Sequence, residues 1–159
     1  MIVEYDKKYD EQIKDLLVEL QEHIQNIDIE KYNILTEEYR EAYFNKTMTE
    51  VKLYNGKLLL SECNGKINGF VVGLINNDEV GEYDFKAPKR GRISELVVSK
   101  SVRSKGIGSM LLKEMEEYLY SVGCKSILLG VFAYNAEAVK FYEKHGYHTR
   151  MIEMIKVNQ

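Results

Sequence analysis

The sequence predicts a mixed α/β fold, one central sheet with helices on both faces. Three observations carry this. Apolar residues recur at helical spacing in separate stretches, and strand-like runs rich in Leu, Val, Ile and Phe lie between them. The second half then alternates strand, helix, strand, helix, strand, an order that builds parallel neighbours joined by crossover helices. At 159 residues the chain reads as a single domain over 1–159, long enough to bury one good core.

Composition narrows the class. Hydrophobic residues at 45% and charged residues at 30% are ordinary for a soluble globular protein. A formal charge of −3 implies no general affinity for nucleic acid. No uninterrupted apolar run approaches the roughly 20 residues needed to span a membrane. The start, Met1-Ile2-Val3-Glu4-Tyr5-Asp6, lacks a basic region followed by an apolar core, so no signal peptide and a cytoplasmic location are expected. Cys63 and Cys124 stand far apart, with no CxxC and no nearby His pair. They read as two reduced thiols. His23, His145 and His148 form no ligand motif, and no metal is expected.

Residues 2–5 form a candidate edge strand. From about Asp10, a candidate N-cap, Ile13, Leu16, Leu17, Leu20 and Ile24 recur at helical spacing. A second helix begins after Thr36, with Tyr39 and Tyr43 one turn apart on one face. Those tyrosines either pack against the first helix or line an acceptor pocket. Residues 56–62 and 67–75 are two strands joined by Cys63-Asn64-Gly65-Lys66, where Asn-Gly signals a tight hairpin. Residues 76–90 read as a polar connection holding Glu79, Glu82, Asp84, Lys86, Lys89 and the single Pro88.

The chain is organised around the stretch after that connection. A strand over about 92–99 leads through a basic turn to Gly106 and Gly108, then into a helix whose buried stripe is Ile107, Met110, Leu111, Met115, Tyr118, Leu119 and Val122. Gly123 ends that helix. The first N–H groups of such a helix lack intrahelical partners and favour an anion, and Arg103 and Lys105 add positive charge beside them. Residues 126–131 form a strand with the all-apolar centre Ile127-Leu128-Leu129, as expected of a strand covered on both faces. Asn135 starts a further helix with an inner face of Ala138, Phe141, Tyr142 and His145, and Gly146 closes it. Residues 147–157 supply one final strand, or two joined by a bend.

The phosphate site is not a nucleotide fingerprint. G-x-G-x-x-G needs a third glycine where Leu111 stands, and G-x-x-x-x-G-K-S/T is absent. The pattern present is Arg103-x-x-Gly106-x-Gly108, preceded by Glu95-Leu96-Val97-Val98. This closely resembles motif A of the GNAT superfamily of N-acetyltransferases, Gln/Arg-x-x-Gly-x-Gly/Ala. Downstream, Asn135-Ala136, then Phe141-Tyr142 before Gly146-Tyr147, looks like that superfamily's motif B, in the expected order and at the expected separation. The motif resemblance covers roughly residues 92–148. The first 55 or so match only in element order.

The resemblance implies a GNAT-type central mixed β-sheet flanked by helices, in the order β-α-α-β-β-β-α-β-α-β(β). It implies acetyl-coenzyme A as donor and an amine as acceptor, transferred by direct attack in a ternary complex. Arg103, Ser104, Lys105, Gly106, Ile107, Gly108 and Ser109 would wrap the coenzyme pyrophosphate, largely by backbone N–H, with glycine allowing close approach. The alternative is a tight turn with glycines for helix–sheet packing. Leu96, Val97 and Val98 correspond to the segment that pairs its backbone with the pantetheine arm, with an N–H of Val97 or Val98 available to a developing oxyanion. Asn135 fits a position that bonds the coenzyme arm, though a cap alone explains it. Ala138 stays small to admit the coenzyme. Tyr142 matches the acid that protonates the departing thiolate, with Phe141 beside it and one of the two facing the core.

Glu95 is the candidate base. On its strand it shares a face with Ile93 and Val97, and an apolar setting raises a carboxylate toward neutrality. The competing reading is a salt bridge with Arg92 or Arg103. Neither cysteine lies in the motifs, which disfavours an acyl-cysteine step. The acceptor stays open among polyamines, aminoglycosides, amino acids and protein amines; Glu79, Glu82 and Asp84 either attract a cationic amine or form a solvated loop. Family members often dimerise. The rival from another class is a non-catalytic acyl-coenzyme A sensor on the same fold.

Overall fold

The computed structural model describes residues 1–76 and 88–158, so Glu79, Glu82, Asp84 and Lys86 lie outside the described residues. The edge strand β1 (Ile2–Glu4) is followed by a 3-10 turn over Lys7–Tyr9 and then α1 (Asp10–Ile27). Asp6 caps the turn by accepting the Lys8 N–H. Asp10 is therefore the first helical residue rather than the cap, and its carboxylate accepts the Tyr5 hydroxyl at 2.7 Å. α2 (Tyr39–Leu53), β2 (Lys57–Cys63), β3 (Lys66–Asn76) and β4 (Arg90–Val98) come next, then α3 (Ile107–Ser121), β5 (Ser126–Leu129) and α4 (Ala136–Lys144).

The sheet has five strands in the order β1-β2-β3-β4-β5. Neighbours are antiparallel except β4 and β5, which are parallel and joined by the α3 crossover. The β2–β3 hairpin turns on Asn64 at φ 52° and Gly65 at φ 78°, the paired left-handed conformation that Asn-Gly adopts most readily.

Alternation along the strands feeds two cores. On one face Leu58, Leu60, Phe70, Val72 and Val97 pack under α1 and α2, with Ile13, Leu17 and Phe44 above them. On the other, Leu59, Val71, Ile75 and Ile93 pack under Leu111, Leu112, Met115 and Leu119 of α3. Glycines on that second face let α3 lie close. A Cβ at Gly73 would sit 2.2 Å from Met115 Sδ, and one at Gly91 would sit 2.7 Å from Leu119 Cδ1. Gly73→Ala is therefore expected to lower stability by about 1–3 kcal/mol, the usual cost of overpacking, as read from its urea midpoint.

Three expectations are corrected. Met110 is 48% exposed and Leu112 is buried in its place. The helix meets the sheet along the Ile107, Leu111, Met115, Leu119 row and its Leu112 flank, which turns Met110 outward. β5 is half-buried rather than covered on both faces, because it is the edge strand and Ile127 and Leu129 meet only the α3 side. Residues 147–158 form no strand. An apolar pattern needs a partner ladder to become a strand, and here Met151, Ile152 and Met154 stand 80%, 76% and 90% exposed.

Candidate active site

The site begins with a parting of strands. β5 pairs with β4 only from Arg90 to Ile93, partnered by Ser126 to Leu129. Beyond Ile93, β4 keeps only β3 as a neighbour among the described residues. Ser99 N–H donates to Asn68 O of β3, and in the register of this antiparallel ladder Val97 faces Phe70 as the same kind of hydrogen-bonded pair. The intervening residues, Leu96 and Val98, therefore aim their N–H and C=O groups at the parted side. Arg103 Nε donates to Val98 O at 3.2 Å, which agrees with that direction. Of the two expected oxyanion donors, Val97 is engaged in the ladder and Val98 is open.

A bulge sets the side chains. Val72 pairs with Glu95 while Gly73 pairs with Ile93, so Ser94 is the extra residue. The parity of the strand flips across it. Glu95 shares a face with Val97 on the α1–α2 side, whereas Ile93 lies in the α3 core. The expectation that Glu95 shares a face with both is corrected accordingly.

Glu95 does not pair with Arg92 or Arg103. Its partner is Tyr43 of α2, whose hydroxyl donates to Glu95 Oε1 at 2.7 Å. Tyr43 stacks on Tyr39 with ring centroids 4.9 Å apart, and both pack against the core beneath α1 and α2. The packing reading of these tyrosines holds, and Tyr43 also lines a cavity of about 250 Å³ with Lys46, Glu50, Tyr54, Arg92, Ser94 and Glu95. Ser94 Oγ is buried with no hydrogen-bond partner among the described residues. Burial pushes the Glu95 carboxyl up to about 7; the Tyr43 hydrogen bond, Lys46 and Arg92 oppose the rise, and Glu50 adds to it. The single signal for Tyr43 in the sequence was its spacing from Tyr39. Nothing there paired it with a residue on β4.

The loop before α3 forms a backbone cradle, the shape in which successive free N–H groups can meet an anion. Ser104 at φ 63° and Gly106 at φ 79° alternate left-handed residues around Lys105, and no side chain caps the helix. The first helical bond runs from Met110 N–H to Gly106 O. Gly106 is thus required by the turn. Gly108 is not, because a Cβ there would meet Phe141 and Val98 no closer than 3.5 Å, an ordinary contact. Helix–sheet packing therefore does not require glycine at 108. Arg103 and Lys105 are exposed beside it, and burial followed by the charges of Arg103 and Lys100 holds His23 of α1 below its ordinary range. Ile107 is buried and anchors the turn. The Ser109 hydroxyl meets His145 Nε2 at 3.0 Å, while His145 Nδ1 meets Phe141 O at 2.7 Å. That pair ties α4 to the cradle and leaves Ser109 its backbone N–H.

α4 supplies the opposite wall. Asn135 Oδ1 accepts the Ala138 N–H at 3.2 Å, so the cap is real and only the Nδ2 donors remain for a ligand. Phe141 and Tyr142 both reach the α3 core, which corrects the expectation that one alone would. Successive residues straddle the inner line of a helix. Phe141 packs over Gly108 and beside His145, with ring centroids 4.4 Å apart. The Tyr142 hydroxyl is pushed up to about 12, first by burial and then by the charge of Glu95. Glu95 and Tyr142, 47 positions apart in the chain, are thus near enough for the charge of one to act on the other.

Comparison with known proteins bears on this arrangement. An uncharacterized N-acetyltransferase of Methanocaldococcus jannaschii is 30% identical over 101 residues, covering 63% of this chain and 58% of that one. The chain therefore spans well under two thirds of that relative's length. A mutant of a Bacillus halodurans protein superposes with a TM-score of 0.86 at 19% identity, covering 100% of this chain and 99% of the other. An aminoglycoside N-acetyltransferase in complex with coenzyme A superposes with a TM-score of 0.75 at 14% identity, covering 100% and 94%. At those identities the likeness is one of fold. The model of the Acetyltransferase (GNAT) family matches residues 24–147, and this chain belongs to that family.

Proposed function

We propose that the protein transfers the acetyl group of acetyl-coenzyme A to a primary amine by direct attack in a ternary complex. The observation that carries this reading is that Glu95 lies on the part of β4 beyond its pairing with β5, near enough to Tyr142 of α4 for its charge to raise that hydroxyl. The open edge of Leu96 and Val98 suits the amides of the pantetheine arm, in the manner of an added strand. The cradle from Arg103 to Ser109 suits its pyrophosphate, and small Ala138 and the Asn135 Nδ2 group suit the arm between them. Acetyl-coenzyme A brings an activated thioester to this site.

Glu95, ionised, takes a proton from the acceptor ammonium, and the freed nitrogen bonds to the thioester carbon. The Val98 N–H faces the oxygen on which charge gathers. Tyr142 gives its proton to the sulfur as the carbon–sulfur bond breaks, the second proton of the attacking nitrogen restores the Tyr142 hydroxyl, and the proton held by Glu95 leaves to solvent. The products are an N-acetyl amine and free thiol.

An acetylation assay across polyamines, aminoglycosides, amino acids and peptides tests the reading and names the acceptor. Turnover of at least one amine is expected. Thermal stabilisation by acetyl-coenzyme A with no product from any amine would instead identify an acyl-coenzyme A sensor. No helix among the described residues is long and apolar enough to cross a membrane. A cytoplasmic setting, where thiols stay reduced, suits exposed Cys63 and buried Cys124, both free. The homodimer that the resemblance implies has one supporting feature, the exposed apolar run of Met151, Ile152, Met154 and Ile155.

A further inference from the structure

Tyr43 has no counterpart in the two motifs, yet it makes the one side-chain hydrogen bond to Glu95 among the described residues. Its position is well determined. The ring stacks on Tyr39 with planes 19° apart, Lys46 Nζ lies 5.1 Å above it, and α2 is held to the sheet by buried Phe44 one residue on. A ring clamped in this way fixes its hydroxyl, and the hydroxyl fixes the carboxylate it touches. An ionised carboxylate accepts at two oxygens. With Oε1 taken at 2.7 Å, Oε2 is the oxygen left for a proton transfer.

We propose that Tyr43 is a positioning residue for Glu95: it holds Oε1, orients Oε2 toward the acceptor amine and sets the pH at which the carboxylate becomes a base. This rests on the reading of Glu95 as the base. Burial, followed by the charge of Glu95, raises the Tyr43 hydroxyl far above neutrality, so it donates throughout the working range and never competes for the proton. The groups facing Glu95 divide by sign. Tyr43 and Lys46 from α2 and Arg92 on β4 favour the charged carboxylate, while Glu50 from α2 disfavours it. Tyr39 and Tyr142 stay neutral at working pH, since burial and Glu95 itself raise both hydroxyls. Among the favouring groups only Tyr43 has a hydrogen bond, and that bond can be deleted without changing the packing.

Tyr43→Phe is the test, because Phe keeps the ring, the stack and the contact with Lys46. Two readouts are taken at matched pH: the kcat profile with an accepted amine, and the carboxyl titration of Glu95 followed by NMR in protein labelled at glutamate side chains. Loss of a hydrogen bond to a charged group is expected to move both midpoints upward by about 1 pH unit. Adding Tyr43→Phe to Glu95→Gln is expected to change kcat less than about twofold, since the residue acts through the carboxylate. An NMR midpoint that stays in place overturns the proposal. So does an NMR midpoint that moves while the rate profile of a competent enzyme does not. A wild-type protein that acetylates nothing overturns the enzyme reading instead, and the NMR midpoint alone then decides whether Tyr43 governs Glu95.

Discussion

Tyr142→Phe is expected to lower kcat by about 10²–10⁴-fold while leaving acetyl-coenzyme A affinity within about twofold. Removing one hydroxyl takes away the proton that neutralises the departing thiolate and little else. The ring stays against the α3 core and keeps its edge contacts with Phe141 and Tyr147, at 5.3 and 5.7 Å between centroids. No other described residue hydrogen-bonds the hydroxyl, so its loss orphans nothing in the protein. A phenol held near 12 is protonated at neutral pH and lies above a thiol, which is the order an acid for this step requires. Calorimetric titration with the coenzyme, beside steady-state rates, separates the two effects. Unchanged turnover would remove Tyr142 from the mechanism.

Glu95→Gln is expected to cost a comparable factor, about 10²–10³-fold in kcat, and to abolish the dependence of rate on pH around neutrality. The sign comes from the site. A base works when ionised, so the wild-type rate rises with pH through a midpoint near 7, and Gln has no such limb. Retention of the wild-type rise in the variant would exclude Glu95 as the base. The same shift has a consequence for stability. Folding raises this carboxyl from 4.5 to about 7, so the folded state resists its ionisation. The associated stability is present at low pH and lost as pH climbs through about 7, to an upper bound of about 3 kcal/mol. Urea unfolding at pH 5 and pH 9 checks this: Glu95→Gln should lie within about 1 kcal/mol of the wild type at the lower pH and exceed it by more at the higher. If Glu95 is the base, its cost to the fold is the expected trade where chemistry needs a neutral-range carboxylate.

Much of the framework was legible because it is written in near neighbours. Asn64-Gly65 announces its hairpin through two residues that tolerate positive φ. The Leu111, Met115, Leu119 row announces α3 through spacing, Gly106 announces the turn through the one conformation it needs, and Asn135 announces its cap. The turn at Gly106 is therefore legible from local pattern alone. The bulge at Ser94 was not legible in the same way. It is a mismatch between β3 and β4 rather than a property of either strand, and it alone turns Glu95 away from Ile93 and toward α2.

By itself, then, the sequence determined the local pattern: where the glycine turn before α3 falls, which tyrosine ends the second motif, and which carboxylate lies on the organising strand. The tertiary structure decided how these meet. It parted β4 from β5 after Ile93, aimed Leu96 and Val98 rather than Val97 at the gap, and gave Glu95 a tyrosine partner 52 residues distant. It also left residues 147–158 without the strand their pattern suggested. The reason is common to all four. Helical spacing and turn residues act over a few positions, whereas strand register, bulges and buried hydrogen bonds exist only once distant segments have packed.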